Sequence, residues 1–511
     1  MRDVEKTTPC WASVPAEIAC NPACAALLTY TDKKADRALR EHKRAAWKRK
    51  RMGDEDYDQM TRDLEASRRP CLLFRDPDGS YRTYAGLGGD VAKTFGVSYR
   101  DRADLYPDEG LMSWRRQPPP LRDYQSAALA ELIAARHAGV EIGTGLGKSH
   151  IIAHLVHHYG LRTVVMAPSV SIASQLHTML TDYLGSAKVG MYGDGKHQLR
   201  QVTVAISAAL VKVSPGSEAW DHLGGARVFI ADESHLVPAD TINDVCTGLL
   251  HAVPYRFFFS ATQTRNDGSE LLLRGITGPM VYRMTVEDGV RAGHLAGISF
   301  RVFRVESGAP SHTDDPNELT RAHLLYNPAV NAIAGSIATR ASVQLGQQTL
   351  ILVDELPQIV ALGPHIRVHY EFAHGGIPYM SARDRAREER GQDVRNLRDI
   401  LPERFHKSDV VDLVRRFNAG EIPVLVGTSA ICMGTDIQTA HNLIMIQGGK
   451  SEVKFRQAVG RGTRRVPGVK EHCTVVDFDV TNVAVLHRHA LARAAVYNGI
   501  LGPVAYVGGG K

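Results

Sequence analysis

The sequence predicts an α/β protein: two tandem domains, each built on a parallel sheet, behind a small amino-terminal α+β domain. Three observations carry that expectation. From Leu121 onward, short apolar runs alternate with segments of helical periodicity, the pattern of a parallel sheet covered on both faces. The alternation comes in two successive series, which implies two lobes of similar size. The first 117 residues lack it, and the tract Pro118-Pro119-Pro120 punctuates the chain where they end. The expected domains are therefore 1–117, 118–300 and 301–511. A length of 511 residues, at about 150 per domain, agrees with three.

In the first domain, Asp32 to Arg69 is dense in charge and stops before Pro70. The segment CLLFRDPDGSYRTYAG then alternates apolar and polar residues about a Pro-Asp-Gly turn and reads as a hairpin. Lys43, Arg44, Lys48, Arg49, Lys50 and Arg51 flank Trp47. A basic helix with one aromatic can grip phosphates and stack a base; a solvated helix can equally use Trp47 as its packing anchor. Cys10, Cys20 and Cys24, with Cys71, are the candidate zinc ligands. Their spacings, C-x9-C and C-x3-C, do not match a paired knuckle, so buried thiols are expected instead.

The first strand series is TVVMAP (163–168), VTVAIS (202–207), RVFIAD (227–232) and RFFFSA (256–261). Between its members lie segments such as SHIIAHLVHHYG, where Ile151, Ile152, Leu155, Val156 and Tyr159 recur at helical spacing. The second series is TLILVD (from 349), IPVLVGT (422–428), NLIMIQ (442–447) and CTVVDF (473–478). Gly293 to Asn317, between the two, carries turn residues and reads as a connection without a clear helix. Ser381 to Asp399 is charged and reads as a solvated helix or insertion.

The chemistry starts at Gly143-Thr144-Gly145-Leu146-Gly147-Lys148-Ser149, between a short apolar stretch and an amphipathic helix. Glycines let backbone amides turn inward around phosphates, and the helix start adds the positive end of a dipole. Lys148 is placed to reach the β- and γ-phosphates of a nucleotide, and the Ser149 hydroxyl to bind Mg²⁺. The full phosphate-loop pattern wants glycine at 142, where this chain has Ile142. RVFIAD then delivers Asp232 and Glu233 at the carboxyl end of an apolar strand, where ligands sit in open α/β sheets. Asp232 fits a Mg²⁺ partner, and Glu233 a general base for the attacking water.

With these residues in place, the chain resembles the DExH-box helicases of superfamily two. DESH (232–235) is similar to their motif II, and LRDYQ (121–125) to their adenine-reading motif. APSVSIASQ (167–175) resembles motif Ia, FSAT (259–262) motif III, VGTSAICMGTD (426–436) motif V, and QAVGRGTRR (457–465) motif VI. ITGPMVYRMTVEDGVRAGHLAG (276–297) and KSEVKFRQAVGRGTRR (450–465) look like the phage UvsW-type helicases, the excision-repair helicases and restriction-enzyme motor subunits. Ala458 stands where that family often has arginine. The resemblance implies two RecA-like domains and an enzyme that couples ATP hydrolysis to movement on, or unwinding of, DNA. It places Arg122 and Gln125 on the nucleotide and Gly434 and Asp436 beside it. Arg461 and Arg464 become arginine fingers, with Gln457 positioning the γ-phosphate or water. His235, Ser260 and Thr262 would couple hydrolysis to strand movement, although His235 also fits a satisfied structural histidine. Ser169, Gln175 and Thr428 are the candidates for contacts to the strand's phosphates.

Composition narrows the setting. Hydrophobic residues are 44% and charged residues 23% of the chain, as in an ordinary globular protein. No apolar run is long enough to span a bilayer, and the charged start MRDVEKTTPC has no signal-peptide core. Seven cysteines are too sparse for a disulfide scaffold, so reduced, cytosolic thiols are expected; the resemblance to phage helicases implies a prokaryotic or phage-infected cell. The net charge of +6 permits a nucleic-acid partner without demanding one. Single-stranded or branched DNA is the expected track, in recombination, repair or replication. Alternatives are an RNA helicase, an ATP-gated clamp that does not separate strands, and a restriction or defence motor.

Overall fold

The computed structural model describes residues 3–44, 54–107, 110–237, 240–261, 268–310, 313–377, 397–428, 431, 437–449, 452–462, 464–501 and 504–508. The Trp47 cluster, Thr262, Gly434, Asp436 and most of the charged stretch 381–399 lie outside them, as do the side chains of Gln457 and Arg461. The chain divides into two compact units. One comprises Met1–Ile142 with Gly147–Met284, the other Thr285–Lys511 with Gly143–Leu146.

The first unit holds two sheets. The amino-terminal one is formed by β1 (Val4–Lys6), β2 (Trp11–Val14), β3 (Leu73–Arg75), β4 (Tyr81–Tyr84) and β5 (Tyr99–Asp101), in the order β3-β4-β2-β1-β5. The expected hairpin is β3–β4, paired antiparallel through Phe74 and Arg82. The charged run before it forms two helices, Lys33–Arg44 and Asp54–Arg68, the second without a buried residue. They are tied side by side by ion pairs such as Lys43 with Glu65 at 2.5 Å and Arg68 with Asp36 at 2.9 Å.

The second sheet of this unit contains β6 (His137–Ile142), β7 (Thr163–Ala167), β8 (Val189–Gly193), β9 (Lys196–His197), β10 (Val202–Ile206), β11 (Val228–Ala231), β12 (Tyr255–Ser260) and β13 (Met280–Met284). Their order is β13-β6-β12-β11-β7-β10-β8-β9, and every pairing is parallel except the β8–β9 edge. Strands buried on both faces are predominantly apolar, and β7, β10, β11 and β12 are buried at every position, with Arg256 of β12 satisfied by the Leu250 and Cys246 carbonyls.

Residues 1–117 do not pack as an appendage. Val4, Ala12, Ile18, Leu72, Tyr84 and Leu87 join Val164, Phe229, Phe258, Leu273 and Ile276 in one hydrophobic cluster. The Cys10 thiol donates to the carbonyls of Cys246 and His251, each at 3.4 Å. Beyond β5 the chain runs along the lobe: the Tyr255 hydroxyl donates to Pro107 O at 2.7 Å, Met112 N to His157 O at 2.8 Å, and Arg115 N to Tyr183 O at 2.7 Å. Cys10 and Cys24 are buried, whereas Cys20 and Cys71 are exposed.

The second unit is built on β14 (Gly297–Val305), β15 (Thr349–Val353), β16 (Tyr370–Ala373), β17 (Val424–Gly427), β18 (Asn442–Ile446), β19 (His472–Val480) and β20 (Ala505–Val507), ordered β16-β17-β15-β18-β19-β14-β20 and parallel throughout. Here the sequence reading needs correcting. The stretch Gly293–Asn317, read as a connection, contains the nine-residue strand β14, and a boundary at 300/301 would cut it. Its Phe300, Val302 and Val305 are buried, while Arg301 and Arg304 between them are exposed and broke the apolar run that flagged its neighbours.

The helix Ala85–Phe95 tests how tightly the amino-terminal region is seated. A Cβ on Gly86 would lie 2.3 Å from the Arg274 carbonyl oxygen, whereas one on Gly89 would meet nothing within 4 Å. Gly86→Ala should therefore destabilise the protein by about 1–3 kcal/mol. Gly89→Ala on the same helix should stabilise it slightly, by at most about 1 kcal/mol. Thermal unfolding of the two variants, compared with wild type, checks the pair; equal midpoints would refute the tight seating.

Candidate functional site

Strand β6 ends at Ile142, and the loop Gly143–Gly147 leads into the helix Lys148–Tyr159. Gly145 and Gly147 take φ of +87° and +80°, left-handed values that favour glycine. A Cβ on Gly147 would also come within 2.5 Å of the Gln125 amide nitrogen. That amide is held from the other side, its Oε1 accepting from Arg122 N at 2.9 Å. The structure thus brings Gln125 to the loop. Arg122 is exposed and reaches the Tyr124 hydroxyl at 3.3 Å.

Asp232 and Glu233 follow β11. Lys148 Nζ lies 3.3 Å from Glu233 Oε1 and 4.0 Å from Asp232 Oδ1, so one ammonium faces two carboxylates. Burial pushes the Asp232 carboxyl up, to about 6, against the pull of Lys148. Burial acts on Glu233 in the same sense, but Lys148 and His235 together outweigh it and hold that carboxyl below the usual range. Glu233 also sits at φ +54° and ψ +48°, a left-handed backbone that non-glycine residues adopt at a cost of order 1 kcal/mol or more.

His235 links this acid pair to the next strand. Its Nδ1 is 3.3 Å from Glu233 Oε2 and 3.1 Å from the hydroxyl of Ser260, the last residue of β12. The expected coupling residues His235 and Ser260 are therefore in contact. Ser169 caps the helix Val170–Leu184, its hydroxyl accepting from Ile172 N at 3.4 Å, and Gln175 is exposed on that helix. Thr428 follows β17 in the second unit and is buried, with its amide donating to Ala373 O at 3.2 Å.

The second unit carries the arginine-rich segment on the helix Glu452–Gly462, which contains positions 457 and 461; Arg464 follows it. Within this unit the loop residues Thr144 and Gly145 lie against the segment. A Cβ on Gly460 would be 2.5 Å from Thr144 Cβ, and one on Gly145 would be 3.5 Å from Arg464 Cγ. The sequence reading missed Arg456, which is ion-paired with the buried Glu287, and the buried pair Arg493–Asp477. Neither had a signal beyond a single charge inside an otherwise ordinary helix or strand.

An apolar-strand sheet with a glycine loop, an adjacent lysine and a paired-acid strand end defines a nucleoside-triphosphate-hydrolysing enzyme, and comparison with known proteins narrows the class. The family "Type III restriction enzyme, res subunit" matches residues 119–265, and "Helicase conserved C-terminal domain" matches residues 399–466. The DNA 3'-5' translocase XPB2 of Sulfurisphaera tokodaii is 23% identical over 421 residues, covering 78% of this chain and 90% of that protein. Residues 119–265 and 399–466 thus carry the two helicase-type domains, and the chain is similar to the superfamily-two helicases. Among solved structures, a fragment assigned as the HsdR subunit of a type I restriction enzyme from Vibrio vulnificus aligns with TM-score 0.52 at 16% identity, over 86% of this chain and 75% of that one. Dbp5 of S. cerevisiae, bound to RNA and ADP BeF3, aligns with TM-score 0.50 at 14% identity, over 75% and 89%. Both share the fold of tandem RecA-like domains. Among the described residues no helix is long and apolar enough to cross a membrane.

The ion cluster makes a stability prediction. In the nucleotide-free protein, Lys148→Ala leaves two buried carboxylates without their cation. Removing one partner of a fully buried pair costs about 3–5 kcal/mol; Lys148 retains some solvent contact, so about 1–3 kcal/mol is expected. Adding Asp232→Asn should recover part of the loss. Thermal midpoints that do not move in the single variant would show that the cluster is not held by Lys148.

Proposed function

We propose that this protein is an ATP-driven motor that translocates along DNA and separates its strands. The observation that carries the reading is Lys148 held at 3.3 Å from Glu233 and 4.0 Å from Asp232, directly after a glycine loop. When ATP enters, its phosphates draw Lys148 away from the acids. Glu233 then loses the cation that holds its carboxyl down, and becomes a better base for the attacking water. Hard oxygen donors on Ser149 and Asp232 fit Mg²⁺, which keeps few protein ligands and takes the rest from phosphate and water. Bound there, the ion would neutralise charge between the β- and γ-phosphates. Gln125, fixed by the Arg122 amide, reads the adenine. Arg461 and Arg464 supply positive charge to the transferring phosphoryl group, Gln457 positions the water, and Gly434 and Asp436 complete the nucleotide's surroundings. His235 passes the state of Glu233 to Ser260 and Thr262.

The XPB2 relative's name supports DNA rather than RNA as the track, and a 3'-to-5' direction. Ser169, Gln175 and Thr428 are the proposed strand contacts. The first of the paired helices Lys33–Arg44 and Asp54–Arg68 carries six cations, of which Arg37, Arg40 and Lys43 are ion-paired with Glu41, Asp36 and Glu65, and we assign Lys33, Lys34 and Arg44 the duplex or branch point ahead of the motor. Because residues 1–117 share the lobe's core, point variants rather than deletion isolate that role.

ATP turnover with single-stranded DNA, forked DNA and RNA as competing stimulators tests the main reading, with forked DNA expected to be the best and RNA the weakest. Glu233→Gln should bind ATP normally and turn it over ~10²-fold more slowly. Arg464→Ala should lose ~10³-fold with nucleic-acid affinity nearly unchanged; a fall in affinity alone would make it a backbone contact. Replacing Lys33, Lys34 and Arg44 by glutamine should leave turnover on single strands intact. It should erase the preference for forks and flatten the salt dependence of fork affinity by up to about three log units per log unit of salt. An unchanged fork preference would assign that preference to the motor lobes.

A further inference from the structure

One fully buried arginine in the second unit has no part in the roles given so far. Arg493 lies on the helix Ala484–Leu501, its side chain 2% exposed. It grips Asp477 of β19 with two prongs, Nε to Oδ2 at 2.6 Å and Nη2 to Oδ1 at 3.0 Å, while Nη2 also donates to Phe478 O at 2.9 Å. The Tyr497 hydroxyl donates to Asp477 Oδ2 at 3.0 Å, so the carboxylate is locked as well. An ion pair needed only by the core would stop there. This one goes on: Nη1 donates to the carbonyl of Gly449 at 3.0 Å, and the guanidinium lies 5.3 Å from the centre of the Phe455 ring.

Gly449 lies three residues after β18, and Phe455 is in the first turn of the helix Glu452–Gly462. The loop is pinned from its other side too, because Gly448 N donates to Asp354 Oδ2 at 2.6 Å. A Cβ on Gly448 would be 2.3 Å from Thr320 Cγ2, so the backbone has little room to shift there. The guanidinium fork therefore spans three elements with rigid geometry: the β19 carboxylate, the loop carbonyl and the ring that starts the helix.

We propose that Arg493, oriented by Asp477, is a positioning residue that sets where the helix Glu452–Gly462 begins and so where Gln457, Arg461 and Arg464 are aimed. The inference rests on the reading of those residues as the nucleotide-facing set. A lysine keeps the charge opposite Asp477, but a single ammonium on a flexible stem cannot satisfy the carboxylate, both carbonyls and the ring together. Misplacing a catalytic group by about 1 Å costs on the order of 10²-fold in rate.

The test uses the full-length chain in three variants: Arg493→Lys, the apolar replacement Arg493→Met with Asp477→Leu, and Arg464→Ala. Each is measured for kcat and KM of ATP hydrolysis, ATPγS binding and thermal midpoint. Arg493→Lys should bind ATPγS within twofold of wild type, with kcat lowered by roughly 10- to 100-fold. The double variant should show the same kcat loss with a midpoint only partly lowered, because apolar side chains can replace the ion pair while the Gly449 and Phe478 carbonyls and the Tyr497 hydroxyl lose a partner. A kcat within twofold of wild type in either variant, or a defect confined to KM or to the midpoint, would overturn the proposal. If Arg464→Ala keeps full turnover while Arg493→Lys loses it, the arginine-finger reading fails and the positioning of this helix stands.

Discussion

A single ammonium group against two buried carboxylates is the constraint from which the first unit's chemistry follows. Lys148 cannot fully compensate Asp232 and Glu233, and burial shifts the unmet part of the cost onto the Asp232 carboxyl. The cluster is therefore out of balance without a ligand. A nucleotide with its metal ion, bound as proposed above, would change both sides at once, bringing phosphates for the lysine and a cation for the acids. Two structural features sit beside it: the left-handed backbone at Glu233 and the His235 bridge to Ser260 on a neighbouring strand.

The amino-terminal region gains a different meaning from its packing. A domain tethered by a linker could add binding without touching the motor. Here the Cys10 thiol and the helix Ala85–Phe95 are keyed into backbone carbonyls of the lobe, and one hydrophobic cluster runs through both.

Much of this was legible in the sequence, and the exceptions have physical causes. Strands β7, β10, β11 and β12 announced themselves because parallel strands covered on both faces are predominantly apolar. The phosphate loop, the acid pair and the β3–β4 turn were visible because glycine, proline and paired acids have few other uses in those settings. Strand β14 was missed because its arginines interrupt the apolar run. Arg493, Asp477 and the Arg456–Glu287 pair were missed for a deeper reason. Their partners lie far along the chain, and a single sequence has no way to show which distant residue answers a buried charge. The shared core of residues 1–117 was invisible on the same grounds.

Strand β14 has one further consequence, for how the chain is made. It opens the second unit, yet its neighbours are β19 and β20, and the Ser299–Thr474 pair spans 175 residues. During synthesis β14 is among the first of this unit's strands to appear, and it must wait for β19 before it can close a ladder. Contacts of such long separation form slowly and leave an unpaired edge exposed meanwhile. Arg301 and Arg304 on β14 then serve the nascent chain as well as the finished one, since charge along a waiting edge discourages pairing with the wrong strand.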